Sequence, residues 1–149
     1  MYKKLATLNN VALLIWFFFD MTGLQLGNII LVQQAWKDDA IFFIIFALAF
    51  ILFLTTKKMG KYFLTIWLSL WLIVQFTSHW YYTIFGVTEK KLTGYNEYFS
   101  QTYHIIPASN TVLIPDLYHI LLHILILFSL FTTILYLLKQ QKMRLGSRT

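Results

Sequence analysis

Four long apolar runs dominate the sequence: Val11 to Gln34, Ala40 to Thr56, Tyr62 to Gly86 and Leu113 to Leu138. Each approaches or exceeds the stretch of about 20 residues that a helix needs to cross the hydrocarbon core of a bilayer. The runs are continuous and do not alternate, which disfavours a transmembrane β-barrel. The expected fold is therefore all-α. A single domain, residues 1–149, should form a polytopic membrane protein with four transmembrane helices in an antiparallel bundle. Composition agrees: 58% of the residues are hydrophobic and 12% are charged, against about 25% charged in a soluble domain. The surface of a soluble protein of this size could not cover so much apolar mass.

Cations set the expected orientation. Lys3, Lys4, Lys57, Lys58, Lys61, Lys139, Lys142, Arg144 and Arg148 fall at one end of the spans, with no acid among them. Lys37, Lys90 and Lys91 fall at the other end, beside Asp38, Asp39, Glu89 and Glu97. The positive-inside rule then places both termini in the cytoplasm or its equivalent, in a multi-pass protein of a cell membrane. The net charge of +6 points to anionic lipid headgroups as partners and not to nucleic acid. The first run is read as retained, because it continues well past signal-peptide length and lacks an A-x-A-type cleavage site.

The connections differ in kind. Lys37–Asp39 and Lys57–Lys61 are tight, whereas Val87 to Val112 is long enough to need structure of its own. Within it Tyr95, Tyr98, Phe99, Thr102, Tyr103 and Ile106 share one helical face. Asn96, Glu97, Ser100, Gln101 and His104 share the other. This pattern predicts an amphipathic helix over 95–106, ended by Pro107 and lying in the interface as an anchor or as a lid. His104, on its polar face, is expected in solvent.

Chemistry is sought where polar groups are costly. The second span holds nothing polar from Ala40 to Leu54 and serves as a lipid-facing or packing wall. The fourth carries Asp116, His119 and His123 at i, i+3 and i+7, on one face. The third carries Gln75, Ser78, His79 and Tyr82 on a face shared with Trp71. Counted from the outer ends, His79, His119 and His123 lie about 10, 9 and 15 Å deep. Structural roles exist for each: Asp116 after Pro115 can cap a helix, and a buried histidine can bond a neighbouring helix. Shared depth and face instead make His79, Asp116, His119 and His123 a candidate pocket opening in the outer leaflet.

Several chemistries fit that set. The i, i+4 pair His119 and His123, completed by His79 or Asp116, could ligate zinc or another divalent metal. Opposed imidazoles from two spans could hold a b-type haem. Without a cofactor, Asp116 and a neutral histidine form an acid–base pair, and Ser78 could face a histidine across helices for acyl transfer. Asp20, expected near the bilayer middle, shares a face with Asn9, Trp16, Gly23, Gly27 and Gln34. It is either a carboxyl bonded to a packed helix or a proton site, with Gly23-x-x-x-Gly27 letting that helix approach.

No zincin, Walker, Rossmann or nucleophile-elbow motif occurs, and the absence of cysteine removes thiolate chemistry and disulfides. The leading expectation is an acid–base or metal-dependent membrane enzyme acting on a lipid-soluble or interfacial substrate. Two others stand beside it. One is a non-catalytic subunit, assembly or immunity-type protein packed on a larger membrane partner. The other is a small proton-coupled transporter built on Asp20, working as a homo-oligomer.

Overall fold

A computed structural model describes residues 1–56 and 58–146, so Lys57, Arg148 and the side chain of Arg144 lie outside it. In chain order the elements are α1 (Tyr2–Thr22), β1 (Leu24–Leu26), β2 (Ile29–Val32), α2 (Trp36–Thr55) and α3 (Met59–Gln75). A π-helical turn (Phe76–Trp80), α4 (Tyr81–Phe85), α5 (Glu89–Tyr98) and α6 (Leu117–Gly146) follow. α3, the π turn and α4 run on as one span. Four spans are long and apolar enough to cross a membrane, which is the signature of a multi-pass helical membrane protein.

The first span departs from expectation. It starts at Tyr2 and stops at Thr22, so the apolar run from Leu24 to Val32 is not helical. Gly23 turns the chain out of the helix with φ +76°, a conformation that costs glycine nothing. Gly27, at φ +59°, then occupies the first of two turn residues between the strands, where a tight hairpin turn takes glycine. The Gly23-x-x-x-Gly27 helix-packing motif is therefore corrected to a helix stop and a hairpin turn. Short apolar runs rich in β-branched residues fit a strand as well as a helix, and hydropathy cannot separate the two.

The long connection is corrected too. The helix there is α5, residues Glu89–Tyr98, and not 95–106. Beyond Tyr98 the chain is irregular, because its backbone groups bond elsewhere: Tyr103 N–H to the Ile30 carbonyl (2.8 Å) and Leu117 N–H to the Tyr103 carbonyl (2.9 Å). Hairpin and connection are thereby tied together over the start of α6. His104 is half-buried, with Nε2 3.2 Å from the Phe99 carbonyl, and is not in free solvent.

The four spans pack in a ring, α1 against α2 and α6, and α3 against α2 and α6. α2 and α3 approach so closely that a Cβ on Gly60 would overlap the Leu52 carbonyl group. Thr56 Oγ1 accepts the Gly60 N–H at 2.7 Å, which secures the turn between them. α1 and α6 are joined by polar pairs, Asn9 Nδ2 to Thr132 Oγ1 (3.2 Å) and Asn10 Nδ2 to Thr133 Oγ1 (3.3 Å). Midway along the ring sits an aromatic plug in which Trp71 meets Phe17 (4.6 Å) and Phe46 (5.4 Å). The outer flanks, such as Ile44, Leu48, Ile66, Leu70, Leu127 and Phe131, are exposed and apolar, as lipid contact requires.

Candidate active site

Beyond the aromatic plug, at the hairpin end, polar side chains from every span converge. Asp116 stands directly before α6 and caps it: Oδ1 accepts the His119 N–H at 3.0 Å, the bond an N-cap aspartate makes. The same oxygen lies 2.6 Å from His119 Nδ1. Asp116 is buried, which disfavours its charge, but the two bonds from His119 outweigh this and hold its carboxyl below the ordinary range. The group is thus a carboxylate, so His119 Nδ1 carries the hydrogen of this bond and Nε2 is the nitrogen left for another partner.

Aromatic rings fix the imidazole on its other sides. His79 stacks on His119 with centroids 3.9 Å apart and planes at 32°. Phe99 and Tyr118 approach edge-on, both at 5.0 Å. His79 Nδ1 is 3.1 Å from the Tyr95 hydroxyl, whose proton is held tightly because burial, and then the Asp116 charge, push its pKa upward. His79 comes from the π turn. One extra residue per turn there shifts the face of the span, so that Trp71, Gln75, Ser78 and His79 line a common cavity. Tyr82, expected with them, instead lies beneath the Lys91 ammonium, 3.7 Å from its ring centroid.

His119 forms part of the wall between two cavities. One, of about 150 Å³, is bounded by Gln75, Ser78, His79 and the apolar Phe17, Phe42 and Leu122. The other, of about 60 Å³, is bounded by Asp20, Asp39, Asp116 and aromatic side chains. Asp39, Tyr118 and His119 border both. The resulting chamber joins the carboxylate-bonded His119 to an acidic recess.

Several sequence expectations are corrected by this placement. Asp20 is not near the middle of a span but close to the end of α1, level with Asp116 and His119, because α1 starts nine residues earlier than hydropathy placed it. His123 is one turn too far along α6 and packs edge-on against Trp80 at 5.7 Å, away from the pair formed by His79 and His119. Among the described residues no three of His, Cys, Asp or Glu are placed to hold a metal ion, so the set His79, Asp116, His119 and His123 is not a ligand shell here. The stacked His79 and His119 rings leave no gap for a haem between them. Ser78 borders the larger cavity, but among the described residues no hydrogen bond joins it to a histidine.

Two participants, Asp39 as a site residue and Tyr118, are not singled out by sequence, whereas Tyr95 and Phe99 belong to the segment read there as an anchor or a lid. Only Asp39 carried a usable signal, since an acid in the first turn of a span stands where the outer chamber must form. Compared with models of protein families, with curated proteins and with solved structures, the chain matches none.

Proposed function

We propose that the protein is a membrane enzyme that performs acid–base chemistry on a lipid-soluble or interfacial substrate. The Asp116–His119 pair carries this reading: a carboxylate 2.6 Å from Nδ1 orients the ring and supports positive charge on it. The free Nε2 is then a base that becomes an acid after taking a proton. His79 and Tyr95 hold the ring from behind, and the cavity of about 150 Å³ has apolar walls for a hydrocarbon portion. In this reading the four spans form an antiparallel bundle with both termini cytoplasmic. The hairpin, α5 and the connection after it then lie at the outer interface and cover the chamber. Exposed Tyr98, Tyr103, Ile105 and Ile106 suit such a position.

A proton path through the bundle from Asp20 lacks support, because buried Phe17, Trp71, Phe46 and Leu68 fill the ring beyond the chamber. The test uses membranes holding wild-type protein or His119→Asn, incubated in deuterated water, with lipids then analysed by mass spectrometry. The expected result is a lipid species that changes in mass or deuterium content only with the wild type. Its rate should fall by about 10²–10⁴ in the variant, the usual worth of a positioned acid–base group. Identical lipid profiles with wild type, variant and empty membranes would overturn the reading.

A further inference from the structure

The smaller cavity has a composition unlike the rest of the molecule. The chain holds only six acids against twelve Lys and Arg. Four of those acids, Asp20, Asp38, Asp39 and Asp116, border this one recess of about 60 Å³, and among the described residues no Lys or Arg does. Its remaining walls include the rings of Tyr98, Phe99 and Tyr118. Asp20 is 3% exposed, yet its Oδ2 has no hydrogen-bond partner among the described residues.

A buried carboxyl oxygen left without a donor is costly, and a ligand that brings N–H donors relieves that cost. Asp116 has a donor in His119, and the described residues supply no ammonium or guanidinium to the others at this recess. Three aromatic rings next to carboxylates make the combination that attracts an organic cation, by charge and by the ring quadrupole together. A metal ion fits less well, since among the described residues no three ligating groups are spaced to hold one.

We propose that this recess binds the ammonium group of an amine-bearing amphiphile. The recess accommodates a small head, and Asp39, Tyr118 and His119 connect it to the larger cavity, where the adjoining part of the ligand lies beside His119. The proposal deepens the acid–base reading by naming the charged group of its substrate. Binding is measured apart from turnover, so either can fail alone.

The experiment uses full-length protein in dodecyl maltoside micelles, with radiolabelled dodecylamine as the probe in a scintillation proximity assay. Saturable binding is expected, displaced by unlabelled dodecylamine and not by dodecanol of the same chain length. Asp20→Asn and Asp39→Asn, each checked for a monodisperse folded species, should weaken it about tenfold or more, the loss that follows removal of a charged hydrogen-bond partner. Should Asp20→Asn fail to fold, Asp38→Asn at the exposed wall carries the same expectation. Dodecanol competing as well as the amine, or folded carboxamide variants binding as the wild type does, would overturn the proposal. Saturable calcium binding that Asp20→Asn abolishes would reassign the recess to a metal ion. A wild type that binds the amine but alters no lipid would refute the acid–base reading and leave this one standing.

Discussion

Asp116 does two jobs with one oxygen, ending the backbone of α6 and orienting the His119 ring. The double role was legible in part: an acid after Pro115 is a recognisable cap, and a histidine three residues on lies above it. The stack of His79 on His119 was not legible, because it depends on a π turn that no hydropathy pattern announces. The carboxyl of Asp116 titrates below its ordinary value of about 3.9. Its stabilising contribution is therefore complete above that value and is lost as pH falls through the lower, folded one. In detergent, Asp116→Asn should melt below the wild type at neutral pH, and the gap should close as pH drops towards 3. Parallel melting curves across that range would show that the carboxylate charge contributes nothing to the fold. Asp116→Ala should cost about 1 kcal/mol more at every pH, since asparagine still caps and alanine does not.

Among the elements, the α2–α3 turn and α5 make opposite predictions for the same substitution. Gly60→Ala drives a methyl group into the Leu52 carbonyl, and the atoms it meets are all backbone. The helices must separate, at a cost of about 3 kcal/mol or more. Thermal unfolding in detergent should show a large drop in midpoint or no folded protein. Gly94, within α5, has open space where a methyl group would go, with no atom within 4 Å, and Gly94→Ala should leave the midpoint unchanged or raise it slightly. The hairpin of β1 and β2 illustrates a limit of pattern reading. Leu24 to Val32 is apolar enough to extend a span, and only the positive φ angles of Gly23 and Gly27 show that it ends one.

Across the whole molecule, charge and shape point the same way. Lys3 and Lys139 pack over Phe53 and Tyr2, and Lys61 bonds Gln140 at 2.8 Å, all at the end opposite the chamber. Because the chain contains no cysteine, single cysteines report sidedness without background. Ser100→Cys, beside the chamber, should react with a membrane-impermeant maleimide in intact cells, whereas Lys58→Cys should react only after lysis. The reverse pattern would invert the proposed orientation and place the chamber on the cytoplasmic side.

Hydropathy alone determined that the chain has four helices long and apolar enough to cross a membrane, because burying backbone polar groups in lipid leaves few other solutions. Asp116, His119 and His79 were also accessible from sequence, since ionisable groups within or beside spans are rare enough to stand out. Only the tertiary structure decided that Asp20 and Asp39 share a chamber with them, that His123 does not, and that the first span stops at Thr22. The reason is physical. Apolar length is a one-dimensional quantity that transfer free energy reads directly. Which polar groups meet depends on glycine turns, a π turn and helix packing, which act through distances between residues far apart in the chain.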